Sequence, residues 1–119
     1  MHHALGFLVT WPALDQAAHL VFTRADELNG DFYEILAPAA AALEAKHPLA
    51  ATVLRRALID FALERNRTKR YQHAARHLEE CANLAERIED FEKFEAHEAY
   101  LRRLKAEHGR KSSFWSLVV

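Results

Sequence analysis

Apolar residues recur at three- and four-residue intervals along most of this chain, the spacing of amphipathic helices rather than of strands. The pattern is clearest between residues 48 and 88. Leu49, Val53, Leu54, Ala57, Leu58, Phe61 and Ala62 make one stripe, and Tyr71, Ala74, Ala75, Leu78, Cys81, Ala82, Ala85 and Ile88 make a second. His47-Pro48 opens the first of these helices and Thr68 is placed to cap the other. Between them lies a basic turn, Arg65-Asn66-Arg67-Thr68-Lys69-Arg70, with four positive charges in six residues. A helix pair with one apolar stripe per helix cannot bury both faces alone, so the pattern asks for stacked helical neighbours.

The flanking segments supply them. Trp11-Pro12 reads as a helix entry, followed by Leu14, Ala17, Ala18, Val21, Phe22 and Ala25, with Asn29-Gly30 as the stop; this predicts a helix over about 12–28. Asp31 suits the cap of a second helix carrying Tyr33, Leu36, Ala40 and Leu43 to about Lys46. Pro38 falls inside it, so the helix either starts near Ala37 or bends there. After an acidic, aromatic connector from Glu89 to Glu95, a fifth helix is expected from about Ala96 to His108, with His97, Tyr100, Leu101, Leu104 and His108 on one face and Gly109 as its cap. The apolar C-terminal tail, Ser112 to Val119, should dock rather than stand in water. The expected fold is all-α, with about five helices in antiparallel helix-turn-helix pairs, tetratricopeptide-like or a short α-solenoid. Ala74 and Cys81 around Leu78 match the small positions of that repeat, whereas the long inter-helix loop and the missing terminal proline depart from it.

Composition narrows the class. At 119 residues the chain is one domain, 1–119, and only three Gly and three Pro disfavour sandwiches, barrels and disorder. The single Cys81 excludes an internal disulfide and a multi-thiolate zinc finger; on the apolar stripe it reads as a small buried hydrophobe, and a reducing, cytoplasmic compartment fits. The apolar run Ala4 to Val9 is too short to span a bilayer and lacks a basic leader, so neither a membrane span nor a signal peptide is expected. The net charge of -1 conceals blocks of -4 over residues 1–48, +5 over 49–78, -6 over 79–98 and +4 over 99–119. Hinge arginines bridging to the acidic block 79–98 are the expected use of this alternation.

Eight histidines make metal the first chemistry to weigh. His73 and His77 stand at i and i+4, the spacing that lets two imidazoles meet one ion, and Glu80 could supply a third ligand. The zincin arrangement needs a Glu directly after the first His, where this chain has Ala74. His97 and His108 suit a helix start and a helix end. No cofactor is expected. Serines occur only at 112, 113 and 116, and neither a Gly-rich phosphate loop nor a nucleophile elbow is present, so an enzyme is not expected. Glu79-Glu80 and Glu89-Asp90 are sequence neighbours, which a helix points about 100° apart. The basic hinge raises nucleic-acid contact, but the pI of 6.7 and the lack of aromatics among its charges argue against it.

Trp11-Pro12-Ala13-Leu14-Asp15, His47-Pro48-Leu49-Ala50-Ala51-Thr52, Arg56-Ala57-Leu58-Ile59-Asp60, Tyr71-Gln72-His73-Ala74-Ala75-Arg76 and His108 to Trp115 resemble segments of a bacterial domain family of unknown function. Related segments end some SWIM zinc-finger proteins. The resemblance implies a helical-repeat module without assigned catalytic residues, and the SWIM zinc ligands have no counterpart in a chain with one cysteine. The leading expectation is an interaction module that binds a protein or peptide in a groove between the second and fifth helices, or pairs with itself as a homodimer. Tyr71, His73 and Arg76 are the candidate groove contacts, with Arg67 and Arg70 from the hinge, and Trp115 anchoring the tail. A small metal-binding or histidine-dependent enzyme is the first alternative, and nucleic-acid contact through the hinge the second.

Overall fold

The computed structural model describes residues 1–11 and 13–118. Within them the chain is all-helical, with seven α-helices: α1 (His2–Thr10), α2 (Leu14–Thr23), α3 (Tyr33–Leu43), α4 (Pro48–Glu64), α5 (Tyr71–Ala85), α6 (His97–His108) and α7 (Ser112–Trp115). The expected count of about five is therefore too low. The added helices lie at the ends. The helix entry assigned to Pro12 lies outside the described residues.

α4 is the centre of the molecule because its sequence is apolar on almost every side. Twelve of its residues are buried, and it packs along α3 on one side and α5 on the other. Pro48 occupies the first turn, where its missing N–H costs nothing. The N-terminal half of α4 joins α1, α2 and α3 in one apolar cluster around Leu36, Leu43 and Leu54, while its C-terminal half, from Ile59, joins α5, α6 and α7 in a second around Tyr100, Leu104 and Phe114.

Several boundaries depart from the sequence pattern for physical reasons. α1 forms despite Gly6 in its interior and no clean stripe, because Leu5 is fully buried and the helix lies against α3. α2 ends at Thr23, five residues early. The Thr23 hydroxyl donates to the His19 carbonyl at 2.9 Å, and the chain turns through a single 3₁₀ turn, Ala25–Glu27, closed by an Arg24–Glu27 ion pair at 2.5 Å. α3 begins at Tyr33 and runs through Pro38, so neither a start near Ala37 nor a cap by Asp31 holds. Asp31 instead pairs with Arg70 at 2.9 Å, and its backbone N–H is bonded by the Asn29 side chain. Thr68 is likewise no cap; it opens a 3₁₀ turn, Thr68–Arg70, after Asn66 has ended α4 in the left-handed region at φ 51°. α5 stops at Ala85, leaving Ile88 beyond its end.

Gly30 holds the α2–α3 loop against α4. A Cβ there would overlap the Ala57 carbonyl oxygen and stand 2.5 Å from the Phe61 Cβ, so only glycine permits this approach. Gly109 is the C-cap of α6, as expected, in the right-handed region at φ -60°. The tail folds back on this end: the Trp115 indole N–H donates to the His108 carbonyl at 2.9 Å, and Phe114 is fully buried.

Candidate functional site

α3, α4, α5 and the 3₁₀ turn before α5 enclose a cleft of about 500 Å³. Its apolar wall is Ala37, Leu58 and Ala74, and Tyr33 stands at its mouth beside Gly30. Four cationic side chains converge on it from three elements: Arg55 from α4, Lys69 and Arg70 from the turn, and Arg76 from α5. His73 and His77 complete the lining.

The sequence positions these groups by ordinary helical spacing. His73, Arg76 and His77 are related by three and four residues, so they share the flank of α5 beside its apolar stripe. Arg55 interrupts the apolar surface of α4 and is only 8% exposed. Its Nη2 donates to Glu44 Oε2 at 2.7 Å and its Nη1 meets His77 Nδ1 at 2.9 Å. A guanidinium can only donate, so Nδ1 of His77 is the acceptor and its proton sits on Nε2. Burial, then the positive charges of Arg55 and Arg76, push the His77 imidazole down to about 4, which keeps it neutral near pH 7. In the same way Arg76 Nη2 donates to His73 Nδ1 at 3.0 Å. Arg70 lies 4.9 Å from the centre of the Tyr33 ring and 5.2 Å from that of Phe61, with Asp31 on its Nη2. Among the described residues neither Lys69 nor Arg76 has a carboxylate within ion-pair distance. The cleft therefore carries positive charge beyond what Glu44 and Asp31 neutralise.

Of the residues that sequence reasoning singled out, the structure brings Arg70, His73, Arg76 and His77 to this cleft. Tyr71 does not reach it; it is buried in the core with its ring edge-on to Phe114 at 5.8 Å. Arg67 is exposed beside the Phe61 ring at 5.8 Å, outside the cleft lining, and Trp115 packs on Phe114 at 5.0 Å, also away from the cleft. Among the described residues no hinge arginine forms an ion pair with the acidic block 79–98: Arg65, Arg67 and Arg70 gather on Phe61, and Glu95 of that block pairs with Arg103 at 3.1 Å. Glu80 is not among the cleft residues, and among the described residues no three His, Cys, Asp or Glu side chains are grouped to hold a metal ion. Cys81 is fully buried, and burial raises its thiol to about 12. Sequence reasoning missed Arg55, Lys69 and Tyr33. An arginine pair, Arg55-Arg56, in the middle of a mainly apolar helix was the available signal.

Fold and site together define an all-α domain with a basic, apolar-floored cleft across its central helices, and no described helix is long and apolar enough to cross a membrane. The model of a family of unknown function, DUF6880, matches residues 1–117, and the chain belongs to that family. No curated protein and no solved structure matches it.

Proposed function

We propose that the chain is a non-catalytic, helical-repeat-like interaction module whose cleft takes an acidic segment of a protein partner. The supporting observation is the convergence of Arg55, Lys69, Arg70 and Arg76 on one apolar-floored cleft. Arginine forks suit carboxylates, which they grip with two parallel hydrogen bonds, and the Ala37, Leu58 and Ala74 wall removes water from one side of those bonds. A peptide is favoured over a nucleic acid because the cleft is short and Tyr33 is its one aromatic, with no series of stacking platforms. A metal or histidine-dependent reaction in the cleft is disfavoured by His73 and His77, whose Nδ1 atoms are occupied by arginine donors.

The test is a fluorescence anisotropy titration of a labelled glutamate-rich peptide, with a glutamine-rich peptide and a single-stranded oligonucleotide as comparisons. The reading expects saturable binding of the acidic peptide alone, weakened at least about tenfold, or 1.4 kcal/mol, by Arg76→Glu, and reduced by salt. Equal binding of the glutamine peptide, preference for the oligonucleotide, or indifference to Arg76→Glu would remove it. Self-association is the second reading. Phe7 and Trp11 are 62% and 71% exposed and stack on one another at 6.1 Å, an apolar patch that a second copy would cover. Sedimentation equilibrium of wild type beside Phe7→Ser/Trp11→Ser decides it, since a monomeric wild type ends this reading.

A further inference from the structure

A second groove, of about 660 Å³, runs along the opposite flank of α4 between the 25–30 loop on one side and the connector and α6 on the other. It shares only Gly30 with the basic cleft. At its inner end stands Arg56, 8% exposed, whose guanidinium carbon lies 4.5 Å from the centre of the Tyr100 ring and 5.7 Å from that of Phe91. Its Nε and Nη2 are both buried and neither has a hydrogen-bond acceptor.

Two of the three carboxylates of the groove, Asp60 and Glu95, are committed elsewhere, and the third, Glu64, makes no ion pair with Arg56. Asp60 accepts the Tyr100 hydroxyl at 2.8 Å and stands 3.9 Å from Arg103, while Glu95 accepts from Arg103 Nε at 3.1 Å. Among the described residues none lies within ion-pair distance of Arg56. A buried guanidinium with two unmet donors is expensive, and the faces of Tyr100 and Phe91 offset only part of that cost. Native folds rarely leave such donors empty without a use for them. Nε–H and Nη2–H point from one edge of the guanidinium, in parallel, which is the fork that receives both oxygens of a carboxylate.

We propose that this groove is a second binding site, in which the Nε–Nη2 edge of Arg56 takes a carboxylate group side-on. A singly charged carboxylate fits better than phosphate, because Asp60 and Glu95 border the same space and repel a dianion more strongly. Phe91, on the helix-free connector between α5 and α6, lies against the same guanidinium as the Tyr100 ring of α6 and leaves the charge without an anionic partner. Glu64, Arg65 and Lys93 line the outer groove, where the rest of the ligand extends. A free organic acid and a peptide C-terminus present the same group, and the experiment separates them.

The test follows the arginine Nε–H signals of the full chain by ¹H–¹⁵N NMR at constant ionic strength, with the Arg56 signal assigned by its contacts to both the Phe91 and Tyr100 rings and by its absence in Arg56→Lys. The titrants are sodium acetate, an N-acetylated dipeptide with a free C-terminus, the same dipeptide as its amide, and inorganic phosphate. The proposal expects a saturable shift of Arg56 Nε–H with acetate or with the free-carboxyl dipeptide, and a flat response to the amide and to phosphate. Saturation by acetate alone assigns the site to small free acids; saturation by the dipeptide as well admits a chain terminus. Arg56→Lys keeps the charge and loses the fork, and should weaken the acetate response about tenfold or more. No saturable shift with either carboxylate, or a phosphate response as strong as theirs, overturns the proposal, and because the wild-type signal carries the result, a poorly folding variant cannot obscure it.

Discussion

Asp60 offers the sharpest quantitative check on the electrostatics of α4. Burial outweighs its hydrogen bond from Tyr100 and the nearby Arg103 charge, and raises its carboxyl from 3.8 to about 6. A folded value above the unfolded one means that the native state holds the proton more tightly. The stability this group contributes is therefore complete below pH 3.8 and is lost as pH rises through about 6. At about 1.4 kcal/mol per pH unit the full effect would be about 3 kcal/mol, and solvent screening of a side chain still 30% exposed trims it to about 2 kcal/mol. Asp60→Asn keeps a carbonyl oxygen for Tyr100 and never ionises. Urea unfolding followed by far-ultraviolet circular dichroism should therefore show the variant gaining on wild type by about 2 kcal/mol between about pH 4 and pH 7.5, roughly 1 M in midpoint for a slope of about 2 kcal/mol per molar. A stability difference that stays constant across that range, or that grows on the acid side, would refute the reasoning.

The remaining expectations concern other parts of the fold. His77, pushed down to about 4, works in the opposite sense: the unfolded chain takes up a proton near 6.5 that the native state refuses, so wild type should lose about 2 kcal/mol against His77→Gln as pH falls from 7 to 4, after allowance for the partial exposure of the ring. Equal acid sensitivity of the two proteins in urea titrations would contradict this. Gly30→Ala forces a Cβ into the Ala57 carbonyl and should cost about 1–3 kcal/mol in thermal or urea unfolding. Phe114→Ala empties a fully buried ring site under α5 and should cost about 3–5 kcal/mol, whereas a tail that contributed nothing would leave the midpoint unmoved.

The parts of the fold legible in the sequence are those where one physical rule dominates. α4, α5 and α6 follow from periodic apolar stripes, and Pro48 at a first turn fixes where α4 begins. α1 escaped because Gly6 and an uninterrupted apolar run hide any stripe; its stability comes from α3, which local pattern does not record. Asp31 and Thr68 have good capping chemistry, yet Asp31 is drawn to Arg70, 39 positions away, and Thr68 enters a 3₁₀ turn, so tertiary contacts override the local preference. The cleft divides in the same way. His73 and Arg76 were legible because they share one helix flank, while Arg55 and Lys69 join them only through the packing of α4 and the turn against α5. Tyr71 was misplaced because its position belongs equally to the apolar stripe, and the core holds it.

Chemical-shift mapping of an unlabelled glutamate-rich peptide on the ¹⁵N-labelled chain tests the central claim most directly. Saturable shifts gathered on Ala37, Leu58, Lys69, His73, Ala74 and His77, and lost in Arg76→Glu, are the predicted result. Shifts that gather instead along the Arg56 groove, or none at all, would contradict the assignment of the basic cleft as the docking site.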